Sequence, residues 1–262
     1  MDRLAFAVIG AGHFGKNYIR VLQKMPGAEL RAVTARKKES LRALRAALPS
    51  AVIVTDEISG VLENPAIDCA IIATPPETHF AYAKKAMENG IHVLLEKPMV
   101  TNLADALRLR AVLRKNPVTF MVGHQYAYHD CINYLKKNLK GFGKISGYIG
   151  EHYYPGPARE DATCLQDAGT HQLSIIQHLF NPGKLEKIRA VSENLPAARA
   201  GGKRAGKGGD FVFAALDFET GLHAEFALCW SSPEKIRRSI IVGQKKLALF
   251  DDVLQNDKLT IY

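Results

Sequence analysis

The sequence predicts an α/β doubly wound parallel sheet followed by an α+β unit built on a large open antiparallel sheet. Three observations predict it. In the first half, six short apolar runs alternate with amphipathic stretches, the pattern of strands covered on both faces by crossover helices. A glycine-rich turn joins the first run to the first amphipathic stretch. After residue 180 the apolar runs follow one another directly, with turn residues between them, as antiparallel strands do.

Element by element, the apolar runs of the first half lie at residues 4–9, 30–33, 51–54, 69–73, 92–95 and 119–122. The amphipathic stretches lie at 18–25, 41–48, 80–89 and 103–113. The pattern changes at Gly123, which sets the expected units at 1–122, nucleotide-binding, and 123–262, α+β. The second contains a helix over 130–139, a long strand over 144–154 and a helix over 168–180. Strands follow over 188–194, 211–218, 223–230, 238–242, 247–250 and 259–262. Residues 197–209 are rich in Gly, Lys and Arg and read as a mobile loop.

Composition narrows the partners. The chain of 262 residues is 47% hydrophobic, enough for substantial cores, and no apolar run approaches the ~18 residues that span a bilayer. The first strand runs straight into a glycine turn without the flanks of a signal peptide, so a cytoplasmic protein is expected. Cys69, Cys131, Cys164 and Cys229 are too scattered for a zinc site or a redox pair and read as free thiols, with no metal. The net charge of +9 is partly local: Arg31, Arg36, Lys37, Lys38, Arg42 and Arg45 surround the single acid Glu39. That balance suits an anionic partner. The basic runs lack interleaved aromatics and a recognition motif, so a phosphorylated small molecule fits better than nucleic acid.

Five motifs carry chemistry. Gly10-Ala11-Gly12-His13-Phe14-Gly15 follows a strand and opens a helix. Gly10 permits the tight turn, Gly12 the approach of a pyrophosphate and Gly15 the close packing of helix on sheet, while the helix N-terminus offers N–H donors. At the end of the second strand, where an acid would hold the ribose of NAD, the chain reads Thr34-Ala35-Arg36-Lys37. A missing acid beside an arginine points to a 2′-phosphate, hence NADP(H) over NAD(H), held by Thr34, Arg36 and Lys37; a solvated basic helix start is the alternative. At the end of the fourth strand, Thr74-Pro75-Pro76-Glu77-Thr78-His79 stiffens a loop, with Thr78 placed to cap the next helix. After the fifth strand comes Glu96-Lys97-Pro98, a lysine at the sheet edge where ligands bind, aimed by a proline-stiffened turn. In the second half, Asp167 and His171 are four apart and share a helix face, pairing a carboxylate with an imidazole suited to proton transfer near neutral pH.

Together these motifs resemble the Gfo/Idh/MocA family of oxidoreductases over nearly the whole chain: GAGHFG, ATPPETH, VLLEKPMVTNLADA, VGHQYAYHD, DAGTHQLSIIQHL and the late sheet with its Trp230. The resemblance implies a Rossmann domain that binds NAD or NADP and an open sheet that makes homo-oligomers. It implies hydride transfer to or from a sugar, polyol or nucleotide-sugar. Lys97 would hydrogen-bond the reacting oxygen, His171 would move its proton, and Asp167 would position His171 or the sugar. Gly10, Gly12, His13, Phe14, Gly15, Thr34, Arg36, Thr74, Pro75, His79, Glu96, Lys97 and Gln125 would line the cofactor. Tyr153 and Arg159 would meet substrate, Arg159 suiting an anionic group, with Tyr148, His152 and Asp161 as weaker candidates. The chain departs from the family at Gln172 and Ser174, where many members carry an acid. It also ends at Tyr262, before the helix with which members usually continue. Two other readings compete: a non-catalytic NADP-binding regulator on the same fold, and a binder of nucleic acid or anionic surfaces with steep salt dependence.

Overall fold

The computed structural model describes residues 3–156, 162–194 and 209–262. The chain divides into two compact units, Met1–Gly123 and His124–Tyr262. Arg159, Asp161 and nearly all of the 197–209 segment lie outside the described residues.

The first unit is a six-stranded parallel sheet of β1 (Leu4–Ile9), β2 (Ala28–Thr34), β3 (Ile53–Thr55), β4 (Cys69–Ile72), β5 (His92–Leu95) and β6 (Phe120–Val122). The spatial order is β3-β2-β1-β4-β5-β6, so the winding reverses between β1 and β4. Helices α1 (His13–Leu22), α2 (Lys38–Ala47), α3 (Ile58–Leu62), α4 (Pro76–Glu88) and α5 (Leu103–Lys115) connect the strands. Strand alternation feeds two cores. Ala7 and Ile9 join Ile72, Met87 and Leu95 in one, while Val8 joins Ile19, Val33, Leu41 and Ile71 in the other. Local chemistry sets the helix starts. Asn102 accepts the Asp105 N–H at 2.8 Å ahead of α5, and Pro76 opens α4 where a missing N–H costs nothing. Helix α3 was not anticipated; five residues are too few for a periodicity, and the Glu57 cap on the Ser59 N–H at 3.1 Å is its local signal.

The second unit comprises α6 (Asp130–Asn138), β7 (Ile145–Pro155), a π-helical turn (Leu165–Gly169) and α7 (Thr170–Phe180), followed by the strands β8 (Leu185–Glu193), β9 (Phe211–Phe218), β10 (His223–Cys229), β11 (Ser231–Gly243), β12 (Leu247–Asp251) and β13 (Leu259–Ile261). They form one sheet in the order β13-β12-β11-β7-β10-β9-β8. It is largely antiparallel, but β7 runs parallel to β10. The early strand β7 enters the middle of a sheet made by later ones, a pairing that no local turn signals. Ile132, Leu135, Ile175 and Leu179 from the two helices pack with Tyr148, Phe226, Leu228, Ile241 and Phe250 from one face of the sheet. The opposite face exposes Ile149, Val191 and Phe213.

A buried polar knot crosses the second core. The Tyr148 hydroxyl donates to Gln172 Oε1 at 2.5 Å and lies 2.9 Å from Ser239 Oγ. Gly150 makes room for it, since a Cβ there would stand 2.1 Å from Gln172 Oε1. Gly150→Ala should therefore cost about 1–3 kcal/mol, read as a lower urea midpoint. Gly12→Ala, whose Cβ meets nothing within 4 Å among the described residues, should leave the midpoint in place.

Candidate functional site

In the first unit the glycine turn sits at the carboxyl end of β1. Gly10 has φ +95°, and a Cβ on it would fall 2.9 Å from the Ala73 carbonyl oxygen. A Cβ on Gly15 would fall 2.0 Å from the Gly10 oxygen, so helix and turn close on each other through a missing side chain. The flank of Gly12 is open, and among the described residues no side chain caps the start of α1. Its first N–H groups are left for a ligand, as a pyrophosphate requires. His13 and Phe14 stand exposed on the first turn, edge to face at 5.6 Å. These residues fit a dinucleotide.

Thr34 plays a different part from the expected phosphate ligand. It is 1% exposed, and its Oγ1 accepts the Gly10 N–H at 3.1 Å, so it braces the glycine turn from below. Ala35 is buried, while Arg36 and Lys37 are exposed just beyond β2. At the end of β4, Thr74 and Pro75 flank the turn into α4. Pro75 occupies the cap position, and the Thr78 hydroxyl lies inside the first turn, 2.7 Å from the Pro75 carbonyl, so Thr78 does not cap the helix.

His79 and Glu96 also differ from expectation. His79 is fully buried, with Nδ1 2.8 Å from the Pro98 oxygen and Nε2 2.9 Å from the Thr74 oxygen. Both ring nitrogens are taken by backbone, so the ring staples two loops and has no edge for a cofactor. Glu96 accepts the Tyr18 hydroxyl on Oε1 at 2.5 Å and the Lys97 N–H on Oε2 at 3.1 Å. It shapes the turn rather than offering a free carboxylate. Lys97 is half-buried at the carboxyl end of β5, and its bond to Pro98 is cis.

In the second unit Asp167 lies in the π-helical turn and His171 in the first turn of α7, both largely buried. The wider π turn changes the register that a plain helix would give the pair. Asp167 Oδ2 accepts the Tyr154 hydroxyl at 2.6 Å. The His171 ring stacks on His152 at 5.4 Å, with 7° between planes, and meets the edge of Tyr126 at 5.3 Å and 85°. Tyr126 is held in turn by Asp252, whose Oδ2 accepts its hydroxyl at 3.0 Å. Tyr126 and Asp252 escaped the sequence reading; their pairing spans 126 positions, and only the aromatic run QYAY hinted at it. Gln125 is exposed beside Tyr126. Tyr153 points to the other face of β7, its hydroxyl 3.3 Å from Glu151, and so lies away from Asp167 and His171. Burial pushes the Cys164 thiol up to about 12, the state of an inert buried cysteine.

Residues 4–124 match the family model GFO_IDH_MocA, described as an oxidoreductase family with an NAD-binding Rossmann fold. Over its full length the chain is 30% identical to a protein from Magnetospirillum magnetotacticum MS-1, described as a candidate oxidoreductase; it covers 81% of that chain with a TM-score of 0.87. The chain belongs to the Gfo/Idh/MocA family. It is also 26% identical to the UDP-N-acetylglucosamine 3-dehydrogenase of Acidithiobacillus ferrooxidans, covering all of this chain and 81% of that one, with a TM-score of 0.85. Inositol 2-dehydrogenase of Rhodococcus jostii is 24% identical over 85% of this chain and 60% of its own length. The chain spans 56–62% of the length of several curated relatives it matches.

The family departures at 172 and 174 have a packing account. Gln172 is committed to the knot with Tyr148, and the Ser174 hydroxyl donates to the His171 carbonyl at 2.8 Å. Among the described residues no group of His, Cys, Asp and Glu is arranged to hold a metal ion, and no helix is long and apolar enough to cross a membrane.

Asp252 also accepts from Lys258 Nζ at 3.0 Å, and Arg237 and His129 stand within 3.7 Å. Burial alone would raise its carboxyl; the bonds from Lys258 and Tyr126 outweigh that and hold it below the usual carboxylate range. A depressed carboxyl stabilises the fold fully above its unfolded value near 4 and loses that contribution as pH falls through the folded value. Asp252→Asn should thus lower the melting temperature at pH 7 and leave a shallower decline between about pH 5 and pH 2 than the unsubstituted protein shows.

Proposed function

We propose that the chain carries the working parts of an NAD(P)-dependent oxidoreductase. It would move hydride between the nicotinamide and a hydroxyl or carbonyl carbon of a sugar, polyol or nucleotide-sugar. The observation that carries this reading is the Lys97 turn. An ammonium is costly to bury, yet Lys97 is held half-buried at the carboxyl end of β5, one strand beyond the β1–β4 reversal where α/β sheets bind ligands. The relatives named for UDP-N-acetylglucosamine and inositol support a sugar-like substrate.

A bound nicotinamide supplies the hydride acceptor or donor. The chain supplies the rest. Gly10, Gly12, Gly15 and the start of α1 would hold the pyrophosphate, with His13, Phe14, Thr74 and Pro75 around it and Gln125 at the start of the second unit. Lys97 would donate a hydrogen bond to the reacting oxygen and stabilise its developing negative charge. His171, its ring oriented by His152 and Tyr126, would take the hydroxyl proton in oxidation and return it in reduction. Asp167, fixed by Tyr154, would hold a substrate hydroxyl or the imidazole.

The absence of an acid at the buried Ala35 and the exposed Arg36 beside it support NADP(H) over NAD(H). The exposed apolar side chains Ile149, Val191 and Phe213 on the open face support a homo-oligomer through that sheet.

The direct test is a panel including UDP-N-acetylglucosamine and myo-inositol, followed by nicotinamide absorbance with each cofactor. Turnover on none of the sugars and polyols would favour the regulator. NADPH should bind at least tenfold more tightly than NADH, and Arg36→Ala should remove that margin; equal binding by the unsubstituted protein would refute the NADP assignment. Lys97→Ala and His171→Ala should each lower kcat by about 10²-fold or more while leaving the NADPH Kd within twofold.

A further inference from the structure

The Glu96-Lys97-Pro98 turn is clamped by side chains from two helices, and one of them is the helix that follows the glycine turn. Tyr18 lies on α1, three residues beyond Gly15. Its hydroxyl reaches across to Glu96 Oε1 at 2.5 Å, the length of a charge-assisted bond. The other oxygen of Glu96 accepts the N–H of Lys97 itself. One carboxylate therefore bridges α1 and the peptide that carries Lys97. Glu96 is 9% exposed and is backed by Gly123, where a Cβ would stand 3.3 Å from the carboxylate, so it has little room to swing. Burial and the bond to Glu96 raise the Tyr18 phenol above its ordinary range and keep it the donor. From the other side, His79 on α4 holds the Pro98 carbonyl.

The sheet order divides any dinucleotide bound at this edge. With the pyrophosphate at β1, the adenosine half lies toward β2 and the nicotinamide half toward β4 and β5. We infer that Tyr18 is a positioning residue: through Glu96 it fixes the turn that walls the nicotinamide half of the site. The inference rests on the nicotinamide-dependent reading above. It makes α1 serve both halves, the phosphates through its N-terminus and the nicotinamide wall through Tyr18. Loss of the hydroxyl should release the turn as a whole, whereas Lys97→Ala removes one side chain and leaves the wall standing. A tyrosine that served only general packing would affect both halves of the ligand alike.

The experiment compares ligands with and without nicotinamide: NADPH against 2′-phospho-ADP-ribose, and NADH against ADP-ribose, by calorimetry on the full chain. Tyr18→Phe should weaken NADPH or NADH about tenfold and the nicotinamide-free partner less than twofold. In a Glu96→Ala background the same substitution should have no further effect, because the hydroxyl acts through that carboxylate. An equal loss on both ligands, no loss on either, or additive losses in the double variant would overturn the inference. Should Tyr18→Phe fail to fold, Glu96→Ala measured on the same ligand pairs decides: it must weaken the nicotinamide ligands selectively. If the unsubstituted protein binds neither member of a pair, the nicotinamide reading falls and this inference falls with it; selective failure in the variants alone leaves that reading intact.

Discussion

Glu96 bears a carboxylate at the end of β5 with only 9% of the residue reaching solvent, and the first unit is arranged around keeping it satisfied. A buried carboxylate without donors would be costly. Here one donor comes from α1, through Tyr18, and one from the adjoining peptide of Lys97. Gly123 at the end of β6 is the residue that leaves space for it. Three separate stretches of chain thus meet at one side chain, and the direction in which Lys97 leaves the sheet follows from that meeting. The glycine turn is as tightly fitted, because at Gly10 and Gly15 neighbouring backbone already claims the volume of a Cβ and leaves room for glycine alone.

Much of this was legible in the sequence. The alternation of apolar runs and helices dictates a parallel sheet, and a G-x-G-x-x-G between a strand and a helix has few structural solutions. What was not legible is the division of labour inside the motifs. Thr34, His79 and Glu96 occupy positions suggestive of ligand contact, yet each spends its polar atoms on backbone or on a buried partner. A motif records that a residue type suits a place; it does not separate a residue that touches a ligand from one that builds the loop touching it. Tyr153 illustrates a simpler limit. Adjacent residues of a strand face opposite ways, so His152 and Tyr153 cannot both serve the helix side of β7, and the boundary of the strand decides which one does. The parallel pairing of β7 with β10 was hidden for a third reason, since strands separated by some seventy positions carry no local record of which neighbour they will find.

Phenol hydroxyls recur wherever a buried acceptor needs a distant donor. Tyr18 serves Glu96, Tyr154 serves Asp167, Tyr126 serves Asp252 and Tyr148 serves Gln172. In each case the ring contributes apolar area to a core or wall while its tip reaches a polar atom that a serine or threonine on the same backbone would be too short to meet. Two of the acceptors, Glu96 and Asp167, belong to motifs that carry the candidate chemistry, and a third, Asp252, holds the tyrosine lying edge-on to His171. Removing such a hydroxyl differs from trimming a surface bond, because the acceptor left behind is sheltered from water, is a carboxylate in three of the four cases, and does not have its lost donor replaced by solvent. For Tyr18, Tyr154 and Tyr126 the loss therefore reaches the surroundings of Lys97, Asp167 and His171 as well as stability, whereas for Tyr148 it falls on the second core alone. A Tyr→Phe change at any of them keeps nearly all the packing and withdraws only the orientation.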